Sequence, residues 1–181
     1  MGSPDGREET WFTGLYTAHY AHVVRYGQRR LADPDAAAEL AQEVFTIAWR
    51  RRREVPDRGL PWLYGVARRL LANQWRARRA APAIVPIVDE PADASSPGAD
   101  AGVGVADLLA ALATLSDLDR EILRLVGWEE LTIAEAAAVL DCRRAAAAVR
   151  LHRARRRLAA AISIGSRTPS RPLLSRPGKE L

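Results

Sequence analysis

One cysteine, Cys142, occurs in 181 residues. A lone thiol excludes an intramolecular disulfide and a cysteine-based zinc site, and it fits a reducing compartment. Histidine is nearly as scarce. His152 has no His or Cys at ligand spacing, so no metal is expected there. No apolar run approaches the ~20 residues that a membrane span needs, and the opening MGSPDGREETW lacks the basic-then-apolar pattern of a signal peptide. A cytoplasmic chain without membrane insertion is expected. Paired carboxylates, a nucleophile with its base, a glycine-rich phosphate loop and a metal cluster are also missing from the pattern, so neither an enzyme nor a cofactor is expected. β-branched runs are few, which disfavours a large sheet.

The composition that remains is globular and helical: 48% hydrophobic and 27% charged, with many Ala and Leu residues. All but one of the 27 Lys and Arg residues are arginine, and the formal charge is +5. Arginine favours phosphates and base edges because its planar fork makes two parallel hydrogen bonds. The basic residues are clustered. They crowd Arg50 to Arg53, Arg68 to Arg79 and Arg143 to Arg157, and none falls between Arg79 and Arg120.

Phe12, Leu15, Tyr16, His19, Val23 and Tyr26 recur at three and four, which predicts a helix from Glu8 to Leu31, ending near Ala32. Asp33-Pro34 reads as an N-cap with proline at the first helical position, opening a second helix that runs to about Arg53. A third helix is predicted from Pro61 to about Arg79. Leu63, Val66, Ala67 and Leu70 lie on its inner side, and Arg69, Asn73 and Arg76 on the opposite one. Residues 8–80 form a first domain in this reading. Residues 81–104, rich in Pro, Ala, Gly and Asp without periodicity, form a flexible acidic linker.

Residues 105–162 form a second domain. Leu108, Leu109 and Leu112 line one helix; Ser116 and Asp119 cap the next, which carries Ile122, Leu123, Leu125 and Val126. Thr132 and Glu135 make a capping box before a short Ala-rich helix. A break and an arginine-loaded helix follow, the outline of a helix-turn-helix. Ala147, Leu151, Ala154 and Leu158 should face the core. The other side presents Ala148, Val149, His152, Arg153 and Arg156, a width suited to the major groove, where arginine reads guanine and small apolar groups meet thymine methyls. Arg143 and Arg144 are placed for phosphates. Arg150 is left between phosphate and a pairing with Glu135, and Cys142 is expected to be a half-buried turn residue. Residues 163–181 read as a disordered basic tail.

Two segments together resemble the extracytoplasmic-function (ECF) group of sigma-70 family RNA polymerase sigma factors, which retain regions 2 and 4. Glu39-Leu40-Ala41-Gln42-Glu43-Val44-Phe45 and Ala48-Trp49 are similar to the family's polymerase-binding motif. Trp62-Leu63-Tyr64, Val66-Ala67-Arg68-Arg69, Asn73 and Arg76 to Arg79 are similar to its minus-ten motif. Arg150-Leu151-His152-Arg153-Ala154-Arg155 is similar to its region 4 pattern. Asp141 stands where that pattern has glycine, and Ala145-Ala146-Ala147 where Gly-Thr-Val is common.

The resemblance implies an all-α protein of two small helical domains, the second with a helix-turn-helix. Glu39, Gln42 and Glu43, with Leu40 in the same motif, would dock on the β′ clamp of core polymerase, Phe45 and Trp49 supporting or flanking the contact, with the β subunit a further partner. The loop from Arg53 to Leu60 and Arg68, Arg69, Asn73, Arg76 and Arg79 would serve the minus-ten element of promoter DNA. Arg143, Arg144, Ala148, Val149, His152, Arg153 and Arg156 would serve the minus-thirty-five element. An anti-sigma factor is a further implied partner. Trp62, Tyr64 and Trp75 are expected in the core rather than stacked on bases. An autonomous helix-turn-helix regulator and a helical protein adaptor stay open as alternatives.

Overall fold

The computed structural model describes residues 4–31, 33–80 and 104–165, all of them helix, turn or connecting chain with no strand. Three helices come before residues 81–103 and four after: α1 Pro4–Gln28, α2 Pro34–Arg50, α3 Gly59–Ala80, α4 Val105–Ala113, α5 Asp117–Gly127, α6 Ile133–Val139 and α7 Arg144–Gly165. The proposed linker, apart from Gly104, and residues 166–181 of the proposed tail lie outside the described residues, as does Ala32, whereas residues 163–165, expected in the tail, continue α7 as helix.

α1 stops three residues before the predicted end. The amides of Arg30 and Leu31 both bond back to the Gly27 carbonyl, at 2.9 and 2.8 Å, folding the chain over so that Leu31 is buried. Gly27 stands at a close approach of the two helices. A Cβ there would stand 3.0 Å from the Cβ of Ala37 and 3.1 Å from its Cα, so α1 and α2 meet nearly backbone to backbone. Asp33 caps α2 as expected, its carboxylate accepting from the Asp35 amide at 2.9 Å, with Pro34 opening the helix.

α2 ends at Arg50 rather than Arg53. The arginine run leaves the helix at Arg51 and makes a 3-10 turn, Arg52–Glu54. Side-chain pairing goes with this turn: Arg51 bonds Glu54, and Arg52 Nε donates to Glu8 at 2.6 Å. α3 begins at Gly59, two residues before Pro61. Proline is tolerated there because first-turn amides have no intrahelical acceptor.

Val23, Tyr26, Leu40, Val44, Phe45, Leu63, Tyr64 and Leu71 fill the space between α1, α2 and α3. The predicted α1 stripe is buried only towards its carboxy-terminal end. Phe12, Leu15 and His19 are half-buried and Tyr16 is exposed, because this part of α1 borders an open groove with α2.

In the second unit the Ser116 hydroxyl accepts from the Asp119 amide at 3.3 Å. Thr132 and Glu135 satisfy each other's backbone amides in a complete capping box. The chain leaves α6 in a left-handed turn. Asp141 has φ 54°, its amide bonds the Ala138 carbonyl at 3.2 Å, and the Cys142 amide bonds that of Ala137 at 3.0 Å. This is the Schellman arrangement, in which glycine is the usual residue at the left-handed position. Asp tolerates it better than branched residues. Asp141→Val should therefore lower stability by ~1–2 kcal/mol, read from the urea midpoint. An unchanged midpoint would show that the turn relaxes.

Candidate nucleic-acid and protein interfaces

α2 sorts its motif residues by face. Glu39, Gln42 and Glu43 are exposed, whereas Leu40 and Phe45 are core residues at 1% and 2% exposure. Leu40 is therefore corrected from a contact residue to a support, and Phe45 lies in the core beneath the helix. Trp49 is half-buried, edge-on to Phe12 at 5.2 Å, with the Arg52 guanidinium 5.1 Å from its ring centre. A groove between α1 and α2 is lined by Glu9, Phe12, Thr13, Tyr16, Gln42, Phe45, Thr46 and Trp49. The acidic and polar stripe of α2 thus borders an aromatic groove.

On α3, Arg69, Asn73 and Arg76 are exposed on one face and Arg68 is half-buried. Arg76 Nη2 donates to Asn73 Oδ1 at 2.5 Å, which pre-arranges the pair. The side chain of Arg79 lies outside the described residues. Tyr64 is a core residue as expected. Trp62 is half-buried and Trp75 is 38% exposed, so core packing does not explain Trp75.

α7 is two-faced. Ala147, Leu151 and Ala154 are buried and Leu158 is partly so, whereas Val149 is 50% exposed and His152, Arg153 and Arg156 are open to solvent. Ala148 is half-buried beside them, and Arg143 and Arg144 are exposed at the helix start. The carboxylate facing Arg150 is Asp119, not Glu135, at 3.4 Å. Asp119 also binds Arg157, and being 2% exposed it fastens α7 to α5. Glu135 is already engaged. It accepts from the Thr132 amide at 2.9 Å and the Thr132 hydroxyl at 2.6 Å, and it pairs with Arg58 at 2.9 Å. The hydrogen bonds from Thr132 hold its carboxyl below the usual range. Cys142 is exposed rather than half-buried.

Among the described residues, no group of three or more His, Cys, Asp or Glu side chains could hold a metal ion. No helix among them is long and apolar enough to cross a membrane.

The model for sigma-70 region 2 matches residues 15–81, and that for sigma-70 region 4 matches residues 106–158. The chain belongs to the sigma-70 family. With regions 2 and 4 it is a sigma factor of the extracytoplasmic-function type, a DNA-binding factor that joins core RNA polymerase and directs transcription initiation at promoters. No curated protein matches it at a significant level. Among solved structures, it resembles the sigma factor RpoE bound to the anti-sigma factor NepR, from Bartonella quintana. The identity there is 22% and the TM-score 0.64, over 84% of this chain and 97% of that one. It also resembles CnrH, bound to the cytosolic domain of CnrY, at 20% identity and TM-score 0.61, over 86% of this chain and 90% of that one. At these identities the likeness is one of fold.

Sequence reasoning missed a polar cluster joining the two units of this sigma factor. Arg30, in the turn that follows α1, forks onto Glu121 of α5 at 3.0 and 3.1 Å and donates to Glu129 at 3.0 Å. Arg29 reaches Glu129 at 2.8 Å, and the Tyr26 hydroxyl donates to Glu121 at 2.9 Å. These partners lie 91 to 100 residues apart, so no periodicity relates them.

Burial pushes the Tyr26 phenol well above its usual value. Burial also works against the Glu121 carboxylate, but the Arg30 charge and the hydrogen bonds from Arg30 and Tyr26 prevail and hold it below the ordinary range. Arg124 is pushed down to about 10, by burial first and then by the Arg30 charge. A depressed carboxylate stabilises the fold above its unfolded value, ~4.3, and that contribution is lost as pH falls through the lowered one. The stability gap between the natural chain and Glu121→Gln should therefore hold from neutral pH to about 5 and close below about 4 in urea titrations. A gap independent of pH would contradict this.

Proposed function

We propose that the three exposed faces divide the work of initiation. Glu39, Gln42 and Glu43 on α2 dock on the β′ clamp of core polymerase, with Trp49 flanking and with Leu40 and Phe45 holding the helix from beneath. Arg68, Arg69, Asn73, Arg76 and Arg79 of α3, with the segment from Arg53 to Leu60, take the minus-ten element. A basic helix face holds the backbone while polar side chains and exposed Trp75 reach unstacked bases. Arg143 and Arg144 hold phosphates, and Ala148, Val149, His152, Arg153 and Arg156 read the minus-thirty-five element in the major groove.

The observation that carries this reading is selective exposure. Glu39, Gln42, Glu43, Arg69, Asn73, Arg76, Val149, His152, Arg153 and Arg156 all lie on solvent-facing surfaces, on helices whose opposite faces are packed in the core. The chain itself carries out no covalent chemistry, which the polymerase supplies, and it acts in the cytoplasm. An anti-sigma factor is its further partner, as NepR is for the similar protein RpoE.

Gel filtration with purified core polymerase, run beside duplex-binding titrations of the chain alone, tests the assignment. Co-elution with polymerase together with weak isolated DNA binding supports it. Tight, salt-sensitive duplex binding without co-elution would instead assign the chain as an autonomous regulator.

A further inference from the structure

The groove between α1 and α2 is made by two facing stripes. Residues spaced at three, four and seven from Glu9 to Tyr16 on α1 meet the same spacing from Gln42 to Trp49 on α2, and no described residue of another helix lines it. Phe12, Tyr16, Phe45 and Trp49 make its lining aromatic, and Tyr16 is left 38% exposed. Phe12 meets Trp49 and Tyr20 meets Phe45, so the helices run antiparallel. Glu9 therefore stands at the Trp49 end. Glu39 continues the α2 stripe beyond Gln42 at the other end, with Glu43 beside it.

These three carboxylates are exposed, and none forms an ion pair with a described residue. Glu8, Glu54, Glu121, Glu129 and Glu135 each bind an arginine instead. An aromatic lining between anionic ends fits an apolar segment that carries a cation on each side. Residues 171–176, Arg-Pro-Leu-Leu-Ser-Arg, have that pattern and lie outside the described residues.

We infer that residues 171–176 dock in the α1–α2 groove of their own chain. Pro169, Pro172 and Pro177 fix φ and favour an extended polyproline helix, the form that aromatic-lined grooves take up at low entropy cost. At about 3.1 Å per residue, Arg171 and Arg176 stand about 16 Å apart. Glu39 and Trp49, ten residues apart on α2, are separated by about 15 Å. The two guanidinium groups thus meet the two acidic ends, while Pro172, Leu173 and Leu174 cover the aromatic rings.

The chain path allows this return. Asp119 of α5 holds Arg157 near the end of α7, and Glu121, two residues on, holds Tyr26 of α1. Tyr26 is ten residues, about 15 Å of helix, from Tyr16. Leu174 stands nine residues beyond Gly165, about 30 Å of extended chain. Gln42 belongs both to the groove and to the stripe proposed above for the polymerase clamp, so the docked segment and the clamp compete. That consequence rests on the proposed role of α2; the docking does not.

A paramagnetic label tests the docking on the full chain. In a Cys142→Ser background, a nitroxide on Ser175→Cys should broaden the indole N–H signal of Trp49 and the amide of Thr46, and spare Trp75 and Trp128. Adding Leu173→Asp with Leu174→Asp should restore both signals. Broadening that is absent, that falls on Trp75 or Trp128 instead, or that survives the two aspartates would overturn the docking. Broadening in a mixture of nitroxide-labelled chain with isotope-labelled chain lacking the nitroxide would assign the segment to a second copy and overturn its return to its own groove.

The competition is read separately. Leu173→Asp with Leu174→Asp, otherwise the natural chain, should bind core polymerase about three- to tenfold more tightly, because a face that is covered part of the time binds in proportion to the uncovered fraction. Equal affinity would overturn the competition. If neither chain binds polymerase, the role proposed for α2 fails, while the nitroxide still decides the docking.

Discussion

Reversing two charges on α2, Glu39→Arg with Glu43→Arg, should weaken binding to core polymerase by about 100-fold or more, because like-charge contact at an interface costs several kcal/mol. The same double variant should melt close to the natural chain. Both side chains are exposed, and surface substitutions away from special features stay within about 0.5 kcal/mol. Phe45→Ala should behave in the opposite way. Phe45 is buried among Tyr16, Tyr20 and Phe12, so its truncation should cost ~3–5 kcal/mol of stability. Its effect on polymerase binding should follow only from loss of fold. Polymerase affinity and thermal melts of the two variants check the pair. Equal melting losses, or intact binding by the charge reversal, would remove α2 as the docking face.

The second large effect is expected on α7. Arg153→Ala or Arg156→Ala should reduce transcription from a promoter that depends on its minus-thirty-five element by about 10- to 100-fold, the ~1–3 kcal/mol of a bidentate base contact. The loss should shrink at a promoter altered at the contacted base pair. Arg143→Ala and Arg144→Ala should differ, weakening binding across sequences and lowering the salt slope by about one each. Arg150→Ala and Arg157→Ala should act mainly through stability, because both side chains are held by buried Asp119. Run-off yields on paired promoters, with urea midpoints of each variant, separate these classes. A sequence-independent loss at Arg153 would move it to the phosphate group.

The helices and their caps were legible in the chain because their causes are local. Asp33-Pro34, Ser116 and Thr132 with Glu135 act within three residues, and the apolar spacing of α7 identified Ala147, Leu151 and Ala154 as its inner face. The exposed members of the polymerase and promoter motifs were legible by resemblance. What the motif could not do was place Leu40 in the core, since Leu40 matches the pattern as well as Glu39 and Gln42 do. That placement depends on which neighbours pack against α2. The partners of Arg150 and of Arg30 were hidden for a related reason: Asp119, Glu121 and Glu129 carry no mark of their distant arginines, and Asp119 reads locally as a cap. Trp75 is exposed although aromatic, because it lies on the outer side of α3, where no other described helix covers it.

Run-off transcription tests the central claim most directly: core RNA polymerase, with and without the chain, on promoter fragments pooled from its own genome. The account predicts a discrete set of transcripts that require the chain and vanish with Glu39→Arg. Transcripts unchanged by the chain, or by that substitution, would contradict it.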